Sequence, residues 1–146
     1  MITVTIHNQT EIPDELFKFA VIAARYDGKW IFSRHRQRTT WEIPGGHREA
    51  GEKIDDTARR ELYEESGAED FSLRRICAYS VTREVGATYG MLYFAEVKSL
   101  DAIPDYSEIG EIRLFDSLPD NLTYPDIQTR LMEAATEAVI SRTESE

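Results

Sequence analysis

The chain has 146 residues, 41% of them hydrophobic and 30% charged, which excludes a disordered or fibrous protein and supplies a core without disulfides or metals. Its formal net charge of −10 excludes broad electrostatic contact with a nucleic-acid polymer, but not the binding of small anions screened by divalent cations. No apolar run approaches the roughly 20 residues of a bilayer span, and MITVTIHNQT lacks the basic segment and apolar core of a secretory leader, so a cytoplasmic protein without a membrane partner is expected.

In chain order, ITVTIH alternates as a strand does, and FKFAVIAARY is apolar on both faces, as a buried central strand would be. Asp27-Gly28 suits the positive φ angles of a two-residue turn and predicts a hairpin into KWIFSRHR. The segment Ile54 to Ser66, free of proline and glycine, predicts a helix that Gly67 stops. LRRICAYSVT and MLYFAEV read as strands on either side of a turn-like VGATYG, and IRLF as a further short strand. A last helix is predicted from about Pro125 to Ser141, with Ile127, Leu131, Ala135 and Ala138 on one stripe and the terminal TESE frayed. Residues 1–146 show no repeat or linker and read as a single domain of mixed α and β structure. Cys77, the only cysteine, falls in a strand-like run and reads as a small buried hydrophobe rather than a nucleophile.

The first helix carries RRELYEESGA, with Glu61, Glu64 and Glu65 close together. At 100° per residue from Ile54, Glu61 falls at about −20°, Glu65 at about +20° and Glu64 at about −80°, so the first two share the apolar stripe of Ile54 and Ala58. Arg59, Arg60 and Tyr63 point to the far side. A glutamate-rich helix is ordinarily a wet face. Here Glu61, Glu65 and Glu69 instead form a like-charge series at i, i+4 spacing, each pair costing about 0.2–0.5 kcal/mol, with no Lys or Arg at the flanking positions. A hard cation such as Mg²⁺ or Mn²⁺, which takes oxygen ligands and is often completed by substrate phosphates, would neutralise it. Pro44 and Gly45-Gly46, just upstream, suit a backbone that approaches a metal or ligand closely, although an ordinary strand-to-helix turn has the same residues.

Gly46, five residues, Glu52, seven residues and then Arg60-Glu61-Leu62-Tyr63-Glu64-Glu65-Ser66-Gly67-Ala68 resembles the Nudix box, G-x5-E-x7-R-E-U-x-E-E-x-G-U. Each fixed position is present, and Ala68 is a small choice for the last aliphatic one. The resemblance implies an α/β fold, a Nudix-type α/β/α sandwich with a mixed β-sheet between helices. It implies Mg²⁺-dependent hydrolysis of a diphosphate linkage in a nucleotide, and the oxygen donors leave Mn²⁺ open as the alternative cation. By motif position Glu61, Glu64 and Glu65 would bind the metal, the Gly45 carbonyl could add a ligand, Glu61 would serve as base, and Glu52 and Arg60 would orient the cluster.

Outside the box, SRHRQR gathers Arg34, His35, Arg36 and Arg38, and the arginines are candidates for phosphate contact, with solvated loop charges as the competing reading. His35 reads as a loop residue. A further metal carboxylate is sought in DYSEIGEIRLF, with Glu108 preferred to Glu111. Asn121 or Asp126 is a candidate for reading a base and Tyr124 for stacking on it, while Asp126 equally suits a helix cap. WEIPGG and LPDNLTYPDIQ resemble MutT-like members, which implies hydrolysis of a nucleoside triphosphate, such as an oxidised purine nucleotide, to the monophosphate and pyrophosphate. The alternatives are a nucleoside diphosphate derivative as substrate (ADP-ribose, a nucleotide sugar or a dinucleoside polyphosphate), or nucleotide binding without turnover. The expected partner is a small nucleotide, and the expected state a monomer or homodimer.

Overall fold

The computed structural model describes residues 2–145, with side chains described as far as Ser141. In chain order the elements are β1 (Thr3–His7), a 3-10 turn (Asp14–Leu16), β2 (Phe17–Tyr26), β3 (Lys29–His35), β4 (Gly45–His47), α1 (Ile54–Ser66), β5 (Ala68–Arg83), β6 (Gly86–Leu100), β7 (Ile109–Phe115) and α2 (Pro125–Ser145). The sheet runs in the order β1-β5-β6-β2-β3-β7, and β4 pairs with β2. Pairing of β2 with β6 is parallel and the remaining pairings are antiparallel, so the sheet is mixed.

FKFAVIAARY becomes the central strand because both its faces are covered. Ile22 and Ala24 join Ile54, Ala58 and Leu62 of α1 on one side, while Ala23 joins Leu131, Met132 and Ala135 of α2 on the other. The same alternation sends Ile31 and Phe32, and Met91 and Leu92, to opposite cores. The layers are therefore helix, sheet, helix. Asp27 and Gly28 turn the β2–β3 hairpin with φ angles of 53° and 77°. Cys77 is buried against the α2 layer, and burial pushes its thiol up to about 11, which suits a packing role. Among the described residues no helix is long and apolar enough to cross a membrane.

Several boundaries differ from the expectation. VGATYG is not a turn: residues 86–90 pair with 79–83 in a long β5–β6 hairpin, and only Glu84 and Val85 lie at its tip. Cross-strand pairing overrides the local glycine signal there. β5 begins at Ala68 rather than Leu73, because Gly67 ends the helix and the chain enters the ladder at once. Glu69 consequently lies on β5, and the helical like-charge series consists of Glu61 and Glu65 alone. Instead of fraying after Ser141, α2 continues to Ser145; Glu146 lies outside the described residues.

Two devices fix α1 against the sheet. At its first turn Asp55 accepts hydrogen bonds from Tyr93 Oη (2.5 Å) and Arg75 Nε (2.9 Å), which hold its carboxyl below the ordinary range although burial opposes them. At its end Gly67 adopts φ 79°, its N–H donates to Tyr63 O (2.8 Å), and its own carbonyl accepts from Asp101 N (2.8 Å). A Cβ at Gly67 would run into the Asp101 carbonyl, whereas Gly28 has open space at a similar φ. Both Gly→Ala changes force a left-handed alanine, worth about 1 kcal/mol. We expect Gly67→Ala to lose at least about 1 kcal/mol more than Gly28→Ala in urea unfolding; equal losses would show that the Asp101 contact does not matter.

Candidate active site

The box residues meet where the β4–α1 loop folds back on the helix. Arg60 is the junction. Its Nε and Nη2 donate to the two oxygens of Glu52 (2.8 and 3.0 Å), Nη1 to Glu61 Oε1 (2.7 Å) and more weakly to Glu64 Oε2 (3.4 Å), and Nη2 also to His47 O (3.0 Å). Its Cα direction points away from the apolar stripe, as the helical wheel predicts, but the long side chain bends back over the glutamates. Glu52 accepts in addition from Thr57 Oγ1 (2.7 Å) and Glu49 N (3.1 Å). The Arg60 bonds, helped by that of Thr57, hold its carboxyl down at about 2 although burial opposes them.

Glu61 and Glu65 sit deeper. The Glu61 side chain is 12% exposed, and burial raises its carboxyl above the ordinary range against the pull of Arg60. Burial pushes Glu65 up to about 8; the Gly45 N–H, donating to Glu65 Oε1 at 2.9 Å, opposes this, while the charges of Glu61, Glu42 and Glu108 add to it. Backbone spacing makes this possible. An added Cβ on Gly46 would lie 2.5 Å from Glu61 Oε2, and one on Gly45 would strike Ala20 O and Val21 of β2, so both glycines are required by close approach. Ser33 Oγ, buried on β3, donates to Glu65 O (2.7 Å) and ties the helix end to the sheet.

The other sequence candidates separate into groups. Glu108, mostly exposed, bonds His35 Nε2 (3.2 Å) and lies near enough to act on Glu65; Glu111 instead pairs with Arg34 (3.2 Å) and Arg113 (3.0 Å). Arg34 also donates to the carbonyls of His35 and Arg38, so its donors stitch the β3–β4 connection together. Arg36 is exposed, with Nε 3.5 Å from Ile109 O. Arg38 and Tyr124 come together, the guanidinium 5.9 Å from the ring centroid, and Arg38 Nη1 donates to Glu42 Oε2 (2.9 Å). Asn121 spends its amide on Thr39 O (2.9 Å) and lines, with Trp41 and Phe115, an open groove of about 530 Å³ on the α2 side. Asp126 is exposed in the first turn of α2.

Sequence reasoning missed Glu42. Its signal was available in the alternation of WEIPGG: Trp41 and Ile43 are buried in the α2-side core, which keeps the intervening side chain out of that core, where its charge acts on Glu65.

A divalent cation fits this donor set in charge and chemistry. The side-chain donors are carboxylate oxygens, two of them partly buried with raised carboxyls, and Gly46 leaves Glu61 flush against the main chain. Among the described residues no three such groups converge on one point as they stand. Glu61 and Glu64 share Arg60 and Glu65 bonds Gly45, so metal entry would require those side chains to turn.

The sequence profile of the NUDIX domain matches residues 16–131. The chain belongs to the Nudix hydrolase family. It is similar to the provisional 8-oxo-dGTP diphosphatase YtkD of Bacillus subtilis (strain 168), with 35% identity over 106 residues covering 73% of this chain and 66% of YtkD. It is 28% identical over 122 residues to the NAD-capped RNA hydrolase NudC of Vibrio atlanticus (strain LGP32), covering 81% of this chain and 45% of NudC. The chain thus spans about two thirds of the one relative and less than half of the other. Among solved structures, the Bacillus subtilis pyrophosphohydrolase BsRppH (E68A mutant) superposes with a TM-score of 0.79 at 26% identity over 94% of this chain and 92% of that one. Nudix hydrolases act on phosphoric anhydride bonds and generally need divalent cations, usually Mg²⁺.

The geometry sets two expectations for this Nudix domain. Because Glu52 falls from its ordinary 4.5 to about 2 on folding, its contribution is complete above pH 4.5 and lost as pH drops towards 2. That gap corresponds to about 3 kcal/mol. Glu52→Gln is therefore expected to flatten the acid limb of unfolding free energy against pH, and an unchanged limb would contradict the Arg60–Glu52 geometry. Glu65, buried beside like charges, opposes folding when ionised without a cation. Glu65→Gln should raise Tm by a few degrees in EDTA while losing most of the stabilisation that Mg²⁺ gives the parent protein; a lower Tm in EDTA would contradict the placement of Glu65.

Proposed function

We propose that the chain is a Mg²⁺-dependent pyrophosphohydrolase that converts a nucleoside triphosphate, with an oxidised purine deoxynucleotide as the leading candidate, to the monophosphate and pyrophosphate. The observation that carries this reading is the pair Glu61 and Glu65, both largely withdrawn from solvent with raised carboxyls against the glycine backbone of β4. Carboxylates kept in such a place oppose folding, and a polyphosphate carried on a cation supplies the charge that makes them useful. Similarity to YtkD supports the triphosphate as substrate. Similarity to NudC, over a smaller share of that protein, supports a second reading in which a nucleoside diphosphate derivative is cleaved.

In this mechanism Glu61, Glu64 and Glu65 would hold the cation, the Gly45 carbonyl could add a ligand, and Glu108 would be the further carboxylate, from the loop before β7. Mg²⁺, when bound, screens the phosphate oxygens, polarises the P–O bonds and acidifies water. Glu61 takes the proton from the attacking water. Burial raises its carboxyl in the metal-free protein, and a bound cation would favour the ionised form that a base needs. Glu52 holds the Arg60 guanidinium by two bonds, and its remaining nitrogen donates to Glu61, so the pair sets where that carboxylate rests before a cation enters. Arg38 and Arg36 lie on the rim and meet phosphate charge, while Tyr124 offers a ring for a base.

Glu61→Gln preserves volume and removes only basicity and charge, so it should retain the fold by circular dichroism while lowering kcat by about 10²–10³. Product analysis with Mg²⁺ should resolve monophosphate and pyrophosphate from one triphosphate, and EDTA should abolish both. Cleavage confined to ADP-ribose, nucleotide sugars or dinucleoside polyphosphates would select the second reading. Tight nucleotide binding without turnover would exclude an enzyme.

A further inference from the structure

Glu42 has no place in the box, yet it lies where three parts of the site meet. It is carried on a short extended segment whose main chain pairs with Ser33 of β3 (Ser33 N to Glu42 O 2.8 Å, Glu42 N to Ser33 O 2.9 Å). The same Ser33 bonds the main chain of Glu65 through its hydroxyl, and Gly45, three residues on, bonds the Glu65 carboxylate. Glu42 is thereby held beside the end of α1 by backbone contacts on both sides of it. Its charge acts on the Glu65 carboxyl, as that of Glu108 does.

The carboxylate itself faces the opposite way in chain terms. One oxygen, Oε2, accepts from both Arg38 Nη1 (2.9 Å) and Thr123 Oγ1 (3.2 Å). Those partners belong to separate segments, the connection between β3 and β4 and the approach to α2. Thr40 Oγ1 and Thr123 Oγ1 bond each other at 2.5 Å, Asn121 bonds Thr39 O, and the main chains of Trp41 and Thr123 are joined at 3.0 Å. Main-chain and amide bonds align the two segments, but the Glu42 carboxylate is the group that selects where the Arg38 guanidinium lies. With Nη1 fixed, the guanidinium sits 5.9 Å from the Tyr124 ring centroid while the side chain remains 42% exposed, so its free nitrogens stay open to solvent at one place on the rim.

We propose that Glu42 is a positioning residue for substrate: by holding Arg38 against Tyr124 beside the carboxylate cluster, it fixes a preformed grip for a nucleotide's phosphate and base. The grip acts on bound substrate before and during the reaction alike, so its loss weakens binding more than turnover. This inference rests on the proposed nucleotide hydrolysis. A Glu side chain at this position is unsuited to touching phosphate directly, because both are anions. Its effect must therefore pass through Arg38, and that is what separates a positioning role from a contact of its own.

The test is a double-mutant cycle on Glu42 and Arg38, read by KM and kcat for the nucleoside triphosphate that the parent protein hydrolyses. The Kd for Mg²⁺ with α,β-methylene-dGTP is measured alongside by calorimetry, and Tm by thermal unfolding. Glu42→Ala and Arg38→Ala should each raise KM and Kd at least tenfold with a fall in kcat of no more than threefold. The double variant should stay within threefold of Arg38→Ala, since with the guanidinium gone Glu42 has nothing to place. Glu42→Gln, which still offers an acceptor, should lie between the parent and Glu42→Ala. Additive effects of the two alanines, unchanged KM and Kd, or a loss of Tm with kcat and KM falling together would overturn the proposal. A parent protein that binds the methylene analogue but hydrolyses no nucleotide would defeat the proposed function, and the Kd cycle would still decide the role of Glu42.

Discussion

Placing acidic side chains on the apolar stripe of a helix is the constraint around which this structure is arranged. Glu61 and Glu65 share the face of α1 that buries Ala58 and Leu62, and burial raises both carboxyls. Arg60 supplies the nearby cation, yet it binds Glu52 with two bonds and Glu61 with one strong bond, while Glu65 has, among the described residues, the Gly45 N–H. The net stabilisation of such a cluster is small or negative, since desolvation of buried charges offsets much of their attraction. Its persistence in the fold is better explained by a ligand than by stability.

The scaffold around the cluster is correspondingly rigid. Asp55 with Tyr93 and Arg75 anchors the start of α1, and Gly67 with Asp101 closes its end. Between these anchors the glutamates vary only by side-chain rotation, against a glycine backbone that admits no Cβ. Loops bring the rest: the segment after β3 carries Arg36 and Arg38, that before β7 carries Glu108, and that before α2 carries Thr123 and Tyr124. This division, chemistry on a fixed helix and recognition on loops, explains how relatives with one box can differ in the nucleotide they accept.

The sequence made the helix, its glycine stop and the depth of the three glutamates legible, because each follows from local spacing. Glu61 and Glu65 near the zero of the helical wheel and Glu64 further round reproduce the observed order, with side chains 12% exposed at Glu61 and 27% at Glu64. Long-range pairing was hidden. Nothing local to VGATYG reveals that its partners are residues 79–83, and nothing in Arg34 or Asn121 reveals that the one is engaged by Glu111 and the other by the Thr39 carbonyl, both far along the chain. Glu111 and Glu108, three residues apart, diverge for the same reason: the arginines of β3 and β7 capture one and leave the other beside His35.

The most direct test of the central claim is a crystal structure grown with Mn²⁺ and the methylene nucleotide, with the cation located by its anomalous scattering. The account requires a peak in coordination contact with Glu61 and Glu65, with Arg60 still bonded to Glu52. A peak that avoids both glutamates, or an absence of bound cation beside an ordered nucleotide, would contradict it.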